Sequence, residues 1–559
     1  MKSLRCFSFA TVFAYGALVV SLASAQSHAV ARPYWSSALL GNQTQGEEAA
    51  AQPIAGQKTK MRFDAAAGYD SGGPAADSVA IADLKGDGKM DLVVANECQG
   101  SSGTCYGEVA VLLGNGDGTF QPAVTYSTGA YVAYSVAVGD VNGDGKPDLV
   151  VANWCQSLNQ NGDCTGDGAV SVFLGNGDGT FQPAVSYSSG GFYATSVAIG
   201  DLNGDGKLDL VVTNTQEEDG YDGSVSVLLG NGDGTFQAPV SYDSGGFEAA
   251  SVAIANVNGD GYEDLVVANY CQGNGCYPYN GEVGVLLGNG DGTLQPAVTY
   301  NSGGEYSYSV ALGDLRGNGI LDLVVANKFS DNEAPKDYNA VDVLLGNGDG
   351  TFQTAVSYPL PSGGYDAVAI RDVSGDGIPD LEVVEECRRL SAHSCSGTGE
   401  VSVLLGNGDG TFQSPQKFSS GGYEGSAIAI GDVNGDGRPD LIVTNACGSG
   451  CGTDGSVAVL LNETYYASKT GLTSSPNPSQ VNQTVTFTAT MTSTPPVPNG
   501  EVVTFYNGKT ELGTGATTNG VATLNTSFSK AKTYTIKAKY PGDAFHKASS
   551  GTVKLVEQP

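Results

Sequence analysis

Asp140-Val141-Asn142-Gly143-Asp144-Gly145-Lys146-Pro147-Asp148 is an acidic loop set between two short apolar runs. Side-chain oxygens stand at loop positions 1, 3, 5 and 9, and a backbone carbonyl is available at position 7. That spacing can wrap one hard divalent cation such as calcium. The same pattern runs from Asp201 to Asp209 and from Asp432 to Asp440, and further copies begin at Asp83, Asn256, Asp314 and Asp372. The seven copies recur at roughly 58-residue intervals, the mark of a repeat architecture.

Working outward from the loop gives the repeat unit. In the third copy, Ser196 to Gly200 is a short apolar run entering the loop, and Leu210-Val211-Val212 leaves it. A polar stretch from Asn214 to Gly223 follows. Val225 to Leu229 then alternates and turns at Gly230-Asn231-Gly232-Asp233-Gly234, and Phe236 to Tyr242 is a fourth run. Four β-branched runs separated by Gly/Asn/Asp turns predict four antiparallel strands. Seven such units predict an all-β chain built on a seven-bladed β-propeller. The seventh unit has three runs and stops at Asn462-Glu463-Thr464, while Arg62 to Tyr69 matches the fourth run of another repeat, Phe181 to Tyr187. An N-terminal strand is therefore expected to complete the last blade and close the ring.

The flanks differ in composition. Lys2 and Arg5, an apolar stretch to about Val20 and Ala23-Ser24-Ala25 read as a secretory signal at 1–25, cleaved after Ala25. Cys6 falls inside that signal, in the wrong context for a lipid anchor. Residues 26–60 are unpatterned and read as a linker, with the propeller at 61–465. Residues 466–559 turn Thr-, Lys- and Val-rich, with alternation in Thr484–Ala489, Val502–Tyr506, Val521–Leu524 and Tyr534–Ala538, which predicts an Ig-like β-sandwich.

Ten further cysteines form five local pairs, Cys98/Cys105, Cys155/Cys164, Cys271/Cys276, Cys387/Cys395 and Cys447/Cys451, each between the second and third runs of its repeat. With three histidines in 559 residues and variable spacings, zinc is disfavoured. Five short-loop disulfides and a secreted or cell-surface location are expected. The net charge of −33 argues against nucleic acid, whose phosphates require Lys and Arg, and no segment after the signal is apolar enough to span a membrane.

The seven acidic loops, together with six copies of Leu-Leu-Gly-Asn-Gly-Asp-Gly-Thr-Phe or near it, such as Leu112 to Phe120 and Leu404 to Phe412, resemble the FG-GAP/VCBS repeats of integrin-α-like propellers. The resemblance implies calcium in the loop between the first and second strands of a blade. Carried over by position, the ligands are Asp140, Asn142, Asp144 and Asp148; Asp201, Asn203, Asp205 and Asp209; Asp432, Asn434, Asp436 and Asp440; and Asp372, Ser374, Asp376 and Asp380. Three loops depart from the pattern. Asn256 replaces the first Asp, beside Asn258, Asp260 and Asp264. Lys85 stands among Asp83, Asp87 and Asp91, and Arg316 stands beside Asp314, Asn318 and Asp322; either can supply its own cation. An EF-hand is excluded, because Val151 and Val212 occupy position 12, where a bidentate Glu is needed. The competing structural reading is a plain turn whose side chains cap backbone amides. The C-terminal part, through Leu472 to Pro478 and Tyr540-Pro541-Gly542-Asp543, resembles bacterial Ig-like domains of surface proteins.

The fourth-to-first connections and the stapled loops share the face opposite the acidic loops. They carry Tyr131, Phe192, Phe247, Tyr306, Tyr365 and Tyr423, with Trp154, Tyr270 and Tyr277. Such aromatics stack on sugars, receive a peptide, or pack between blades. No catalytic set stands out: His28, His393 and His546 are the only histidines, and His393 lies in a basic stapled loop with Arg388 and Arg389. The expected function is calcium-stabilised adhesion or extracellular recognition of a protein or glycan. A lectin of the same fold is the alternative, and a polysaccharide-degrading enzyme on this scaffold the second.

Overall fold

The computed structural model describes residues 60–98, 105–159, 164–216, 222–272, 280–328, 339–360, 365–385, 388–391, 394–396, 398–447, 455–493 and 495–559. Every regular element among the described residues is a β-strand. In the third repeat, Phe192–Gly200, Asp209–Gln216, Asp222–Leu228 and the start of Val240–Ala255 pair antiparallel in chain order.

Both faces of the first three strands are covered. Val197, Ile199, Leu210 and Val212 pack with Val170 and Val172 of the repeat before, while Ala198, Val211, Val225 and Val227 pack with Val252 and Leu265 of the repeat after. Two-sided burial explains why these strands read as continuous apolar runs instead of alternating ones. The fourth strand is the outer edge, and there alternation returns, as in Val240-Ser241-Tyr242, where Val240 is exposed and Tyr242 packs inward.

Among the described residues of the repeats the main pairings fall into seven four-stranded sets, with the short pair Arg388–Ser391 and Ser394–Ser396 beside them. Two strands, Val124–Gly139 and Val240–Ala255, are 16 residues long and serve as the fourth strand of one set and the first of the next. A loop was expected there. Instead the ladder runs through, because Tyr131 pairs with both Tyr106 and Cys155, and Phe247 with both Asp222 and Cys271.

In the last set, Tyr423–Gly431, Asp440–Cys447 and Ser456–Leu460 are joined by Ala67–Asp70, as expected: Gly68 pairs with Ala458 and Phe63 with Asn462. First strands of neighbouring sets are tied by hydrogen bonds. The Val136 amide donates to Ser78 Oγ (3.3 Å), the Val197 amide to Ser135 Oγ (3.3 Å) and the Val368 amide to Ser309 Oγ (3.4 Å). Ser426 of the last set donates to the Ala76 carbonyl of the first, so the sets meet end to end.

The C-terminal unit packs a three-stranded sheet (Lys469–Ser475, Val485–Thr492, Val521–Thr526) on a five-stranded one containing Val502–Asn507, Thr533–Tyr540 and Ser549–Gln558. Phe487, Phe505, Ile536 and Tyr540 fill its core.

Candidate metal loops and the opposite face

In the second acidic loop, Asp140 accepts the amides of Asp144 (3.1 Å) and Gly145 (2.7 Å), Asn142 Oδ1 accepts that of Asp144 (2.9 Å), and Asp144 accepts that of Lys146 (3.0 Å). The third loop repeats this at Asp201, Asn203 and Asp205. Amide capping is therefore present, yet each carboxylate oxygen retains a second lone pair for a cation.

Position 9 is different in kind. Asp91, Asp148, Asp209, Asp264, Asp322, Asp380 and Asp440 are all fully buried. Each uses one oxygen to accept the amide at loop position 2 and the other to accept an amide beyond the third strand. For Asp148 these are Val141 (3.0 Å) and Gly175 (2.7 Å); for Asp440 they are Val433 (3.0 Å) and Asn462 (2.7 Å). One side chain thus ties the acidic loop to the chain leaving the third strand of the same set.

Burial pushes the carboxyl of Asp148 up to about 6, helped by repulsion from Asp140 and Asp144. Asp209 rises to about 6, Asp440 to about 7 and Asp380 to about 8, in each case first through burial and further through the other loop carboxylates. Converging anions of this kind fit a divalent cation, whose charge relieves both burial and repulsion. Among the described residues, no three His, Cys, Asp or Glu side chains are gathered as a closed metal cluster. The donor chemistry fits; the carboxylates as they stand are turned to amides.

Two of the three departing loops carry their own cation. Lys85 Nζ lies 3.0 Å from Asp87 and 3.8 Å from Asp91. Arg316 reaches Asp322 with Nη2 (2.6 Å) and Nε (3.2 Å) and donates to the Gly346 carbonyl (2.8 Å). In the fourth loop Asn256 accepts the Gly259 amide at 2.8 Å, and Asn258 donates to Asp260 at 2.9 Å, so one formal charge is missing. In the sixth, Asp372 accepts the amides of Gly375, Asp376 and Gly377, and Ser374 Oγ donates to it at 3.3 Å. In the seventh, Asp432 and Asn434 follow the pattern of the second, and Arg438 pairs with Asp436.

On the opposite face, Cys98 is bonded to Cys105 and Cys155 to Cys164. Cys271 is also disulfide-bonded, and Cys276, Cys387 and Cys451 lie outside the described residues, as do Tyr277 and His393. Nothing is described of the Cys395 side chain, and Cys447 is buried with Sγ 3.5 Å from Glu424 Oε2.

The aromatics form stacked pairs between connections: Tyr131 on Tyr106 (4.7 Å), Trp154 on Tyr193 (4.7 Å) and Tyr270 on Tyr306 (4.3 Å). Tyr106 and Tyr193 were not singled out in the sequence, because each partner sits in a different connection. Beside these pairs, Ala75, Val132, Tyr193, Glu248 and Glu424 have φ of 53–61°. They share one register point, just ahead of a bulge in each first strand. Left-handed backbone at non-glycine residues is strained, most of all at the β-branched Val132, and such strain clusters at functional sites.

The FG-GAP-like repeat model matches residues 83–151, 163–212, 220–267, 256–325 and 390–443, the FG-GAP repeat model matches 132–173, and the bacterial Ig-like domain (group 3) matches 472–556. Integrin alpha-V of Gallus gallus is 30% identical over 177 residues, 29% of this chain and 15% of the integrin. Phosphatidylinositol-glycan-specific phospholipase D of Mus musculus is 32% identical over 175 residues, 27% of this chain and 20% of that protein. The chain thus spans a fifth or less of the length of these two relatives. Among solved structures, the exotype rhamnogalacturonan lyase YesX superposes with a TM-score of 0.39 at 15% identity, over 73% of this chain and 75% of the lyase; so loose a likeness carries no functional weight. On its repeats the chain belongs to the FG-GAP family, with a bacterial Ig-like domain following them.

Proposed function

We propose that the chain is a secreted recognition protein: a closed seven-bladed propeller at 61–465, stabilised by calcium on one face and binding an extracellular protein or glycan with the other. The observation that carries the reading is the division of labour between the faces. One end of the blades holds regular acidic loops; the other holds stapled loops, stacked aromatics and left-handed backbone at Val132, Tyr193, Glu248 and Glu424.

Calcium would be held by Asp140, Asn142, Asp144 and Asp148, and by the matching residues of loops three, six and seven. Bound there, it supplies positive charge that fixes the loop. Loops one and five are stabilised by Lys85 and Arg316 instead. The reading contains no catalytic step. His546 is buried in the Ig-like domain, with Nδ1 2.8 Å from Asp543 and Nε2 3.1 Å from the Pro495 carbonyl, which is a core role.

A lectin is the second reading, favoured by the stacked Tyr106–Tyr131 pair, in which the exposed Tyr106 covers a half-buried Tyr131 and offers a flat face of the kind sugar rings cover. A glycan array on calcium-loaded protein, repeated with Tyr106→Ser, tests both. Binding to one sugar class that is lost in the variant selects the lectin. No sugar binding leaves a protein ligand. Turnover of a polysaccharide sinks both in favour of an enzyme.

A further inference from the structure

Six of the seven sets end their third strand in the Gly-Asn-Gly-Asp-Gly turn or near it, and the turn also fastens one set to the next. A Cβ on its last glycine would collide with the leucine closing the third strand of the preceding set: Gly179 with Leu113 at 2.7 Å, Gly234 with Leu174 at 2.8 Å, Gly410 with Leu345 at 2.7 Å. Gly118 of the first set meets Leu461 of the seventh in the same way, at 2.8 Å. The Gly118 amide also donates to the Val433 carbonyl (3.2 Å), and that of Gly234 to Val141 (3.3 Å), each carbonyl at position 2 of the preceding set's acidic loop. The turns are latches, and the seventh set has none.

The entry to the Ig-like domain fills the vacancy. The Asn462 amide donates to Asp440 (2.7 Å) as that of Gly406 does to Asp380 (2.9 Å). Asn462 Nδ2 donates to the Val373 carbonyl (2.8 Å), position 2 of the sixth loop, the bond that Gly118 and Gly234 make elsewhere. The Tyr466 hydroxyl donates to the Ser374 carbonyl at 2.8 Å. The Phe545 ring lies so close to Gly375 that a Cβ there would stand 2.3 Å from it.

On the seventh loop, Arg438 is 2% exposed. Its Nη1 donates to the Ala544 carbonyl (2.8 Å), its Nη2 holds Asp436, and its guanidinium lies 4.1 Å from the Tyr465 ring centre. Tyr466 pairs in turn with the domain's own loop, its amide donating to the Phe545 carbonyl (2.7 Å) and its carbonyl accepting from Lys547 (2.9 Å).

We propose that the Ig-like domain is the seventh latch. The linker at 462–466 and the loop at 543–546 take the place of the missing turn, lock the domain onto acidic loops six and seven, and make ring and domain one rigid body. Gly375 and Gly437 are the docking points, since any side chain at either would meet Phe545 or Ala544. On the calcium reading above, loops six and seven pass their occupancy to the domain through Asp436 and Ser374; the lock itself does not depend on that reading.

Two measurements on the full chain test it. A Cβ on Gly437 would lie 3.1 Å from Ala544 Cβ, close enough for a disulfide after a small shift. In Gly437→Cys/Ala544→Cys, near-complete 437–544 cross-linking by peptide mass spectrometry is expected, against less than a tenth for Gly437→Cys paired with Ser529→Cys, which precedes the Thr533–Tyr540 strand and so lies at its other end from the 543–546 loop. Equal cross-linking in the two pairs overturns the proposal. Small-angle scattering is the second arm and avoids the glycine. The wild-type chain should fit a single orientation in calcium and in chelator, and Phe545→Ala/Arg438→Ala should increase its maximum dimension. A wild-type profile that already requires an ensemble of domain positions overturns the lock without touching the calcium reading.

Discussion

Arg316 holds Asp322 through two bonds, Nη2 to Oδ1 at 2.6 Å and Nε to Oδ2 at 3.2 Å, with the carboxylate fully buried. The guanidinium occupies loop position 3, where loops two, three and seven have asparagine. Arg316→Asn should therefore add one calcium to the stoichiometry measured by titration calorimetry. In chelator the same variant should lose about 3 kcal/mol, because Asp322 is left buried without its partner charge. A folded variant with unchanged stoichiometry would refute the built-in cation.

The position-9 carboxylates are expected to matter for stability more than the other candidate ligands. Asp209 accepts from Leu202 (3.0 Å) and Gly230 (2.7 Å) inside the protein, whereas the exposed Asp205 accepts from Lys207 beside it. Asparagine at 209 keeps one acceptor and turns an NH2 toward an amide. Asp209→Asn should cost about 1–3 kcal/mol in chelator, and the exposed Asp205→Asn clearly less, read from urea midpoints. Equal costs would count against the tie between the acidic loop and the chain leaving the third strand.

Stability should fall as pH rises in the absence of calcium. Asp148 and Asp209 titrate near 6, Asp440 near 7 and Asp380 near 8, all above the ordinary carboxylate range. The folded chain therefore holds more protons than the unfolded chain from about pH 4 to pH 8, and unfolding free energy declines across that window. Each group contributes a slope of at most about 1.4 kcal/mol per pH unit while it titrates. Calcium favours the ionised form and should flatten the decline. Urea midpoints at pH 5 and pH 8, with and without EGTA, give the sign.

Chelation at neutral pH should lower the melting temperature. At a calcium concentration ten times the dissociation constant, each occupied site adds about 1.4 kcal/mol. A melting temperature indifferent to EGTA would remove calcium from the account.

Ring closure can be tested at Gly118 and Gly234. Their φ values are +81° and +82°, and each would press a new Cβ on a leucine at 2.8 Å. Gly118 faces the seventh set and Gly234 the second. Alanine at either should cost about 1–2 kcal/mol from backbone strain alone, and the two costs should match. A much milder effect at Gly118 would mean that the first and last sets do not hold each other.

Much of the fold was legible because it is written locally. The four-run repeat, its turns and the odd seventh unit pointed to the closing strand at Ala67–Asp70. Much of the site was not. Tyr106, Tyr193 and the leucines under the turn glycines belong to other repeats or connections than the residues they touch. Glycine in a turn looks the same in sequence whether or not Leu113 lies against it. Arg438 stands at loop position 7 like Lys146 and Lys207, and its contact with Ala544 is made 106 residues further along the chain.

The sequence by itself determined the strands, the turns and the oxygens at fixed intervals, since those depend on residues a few positions apart. The tertiary structure decided which oxygens are turned to amides, which loops carry Lys85 or Arg316 in their midst, and where the Ig-like domain rests. Each of those is a distance between residues of different strands or sets, and burial and charge act through that distance whatever the separation along the chain.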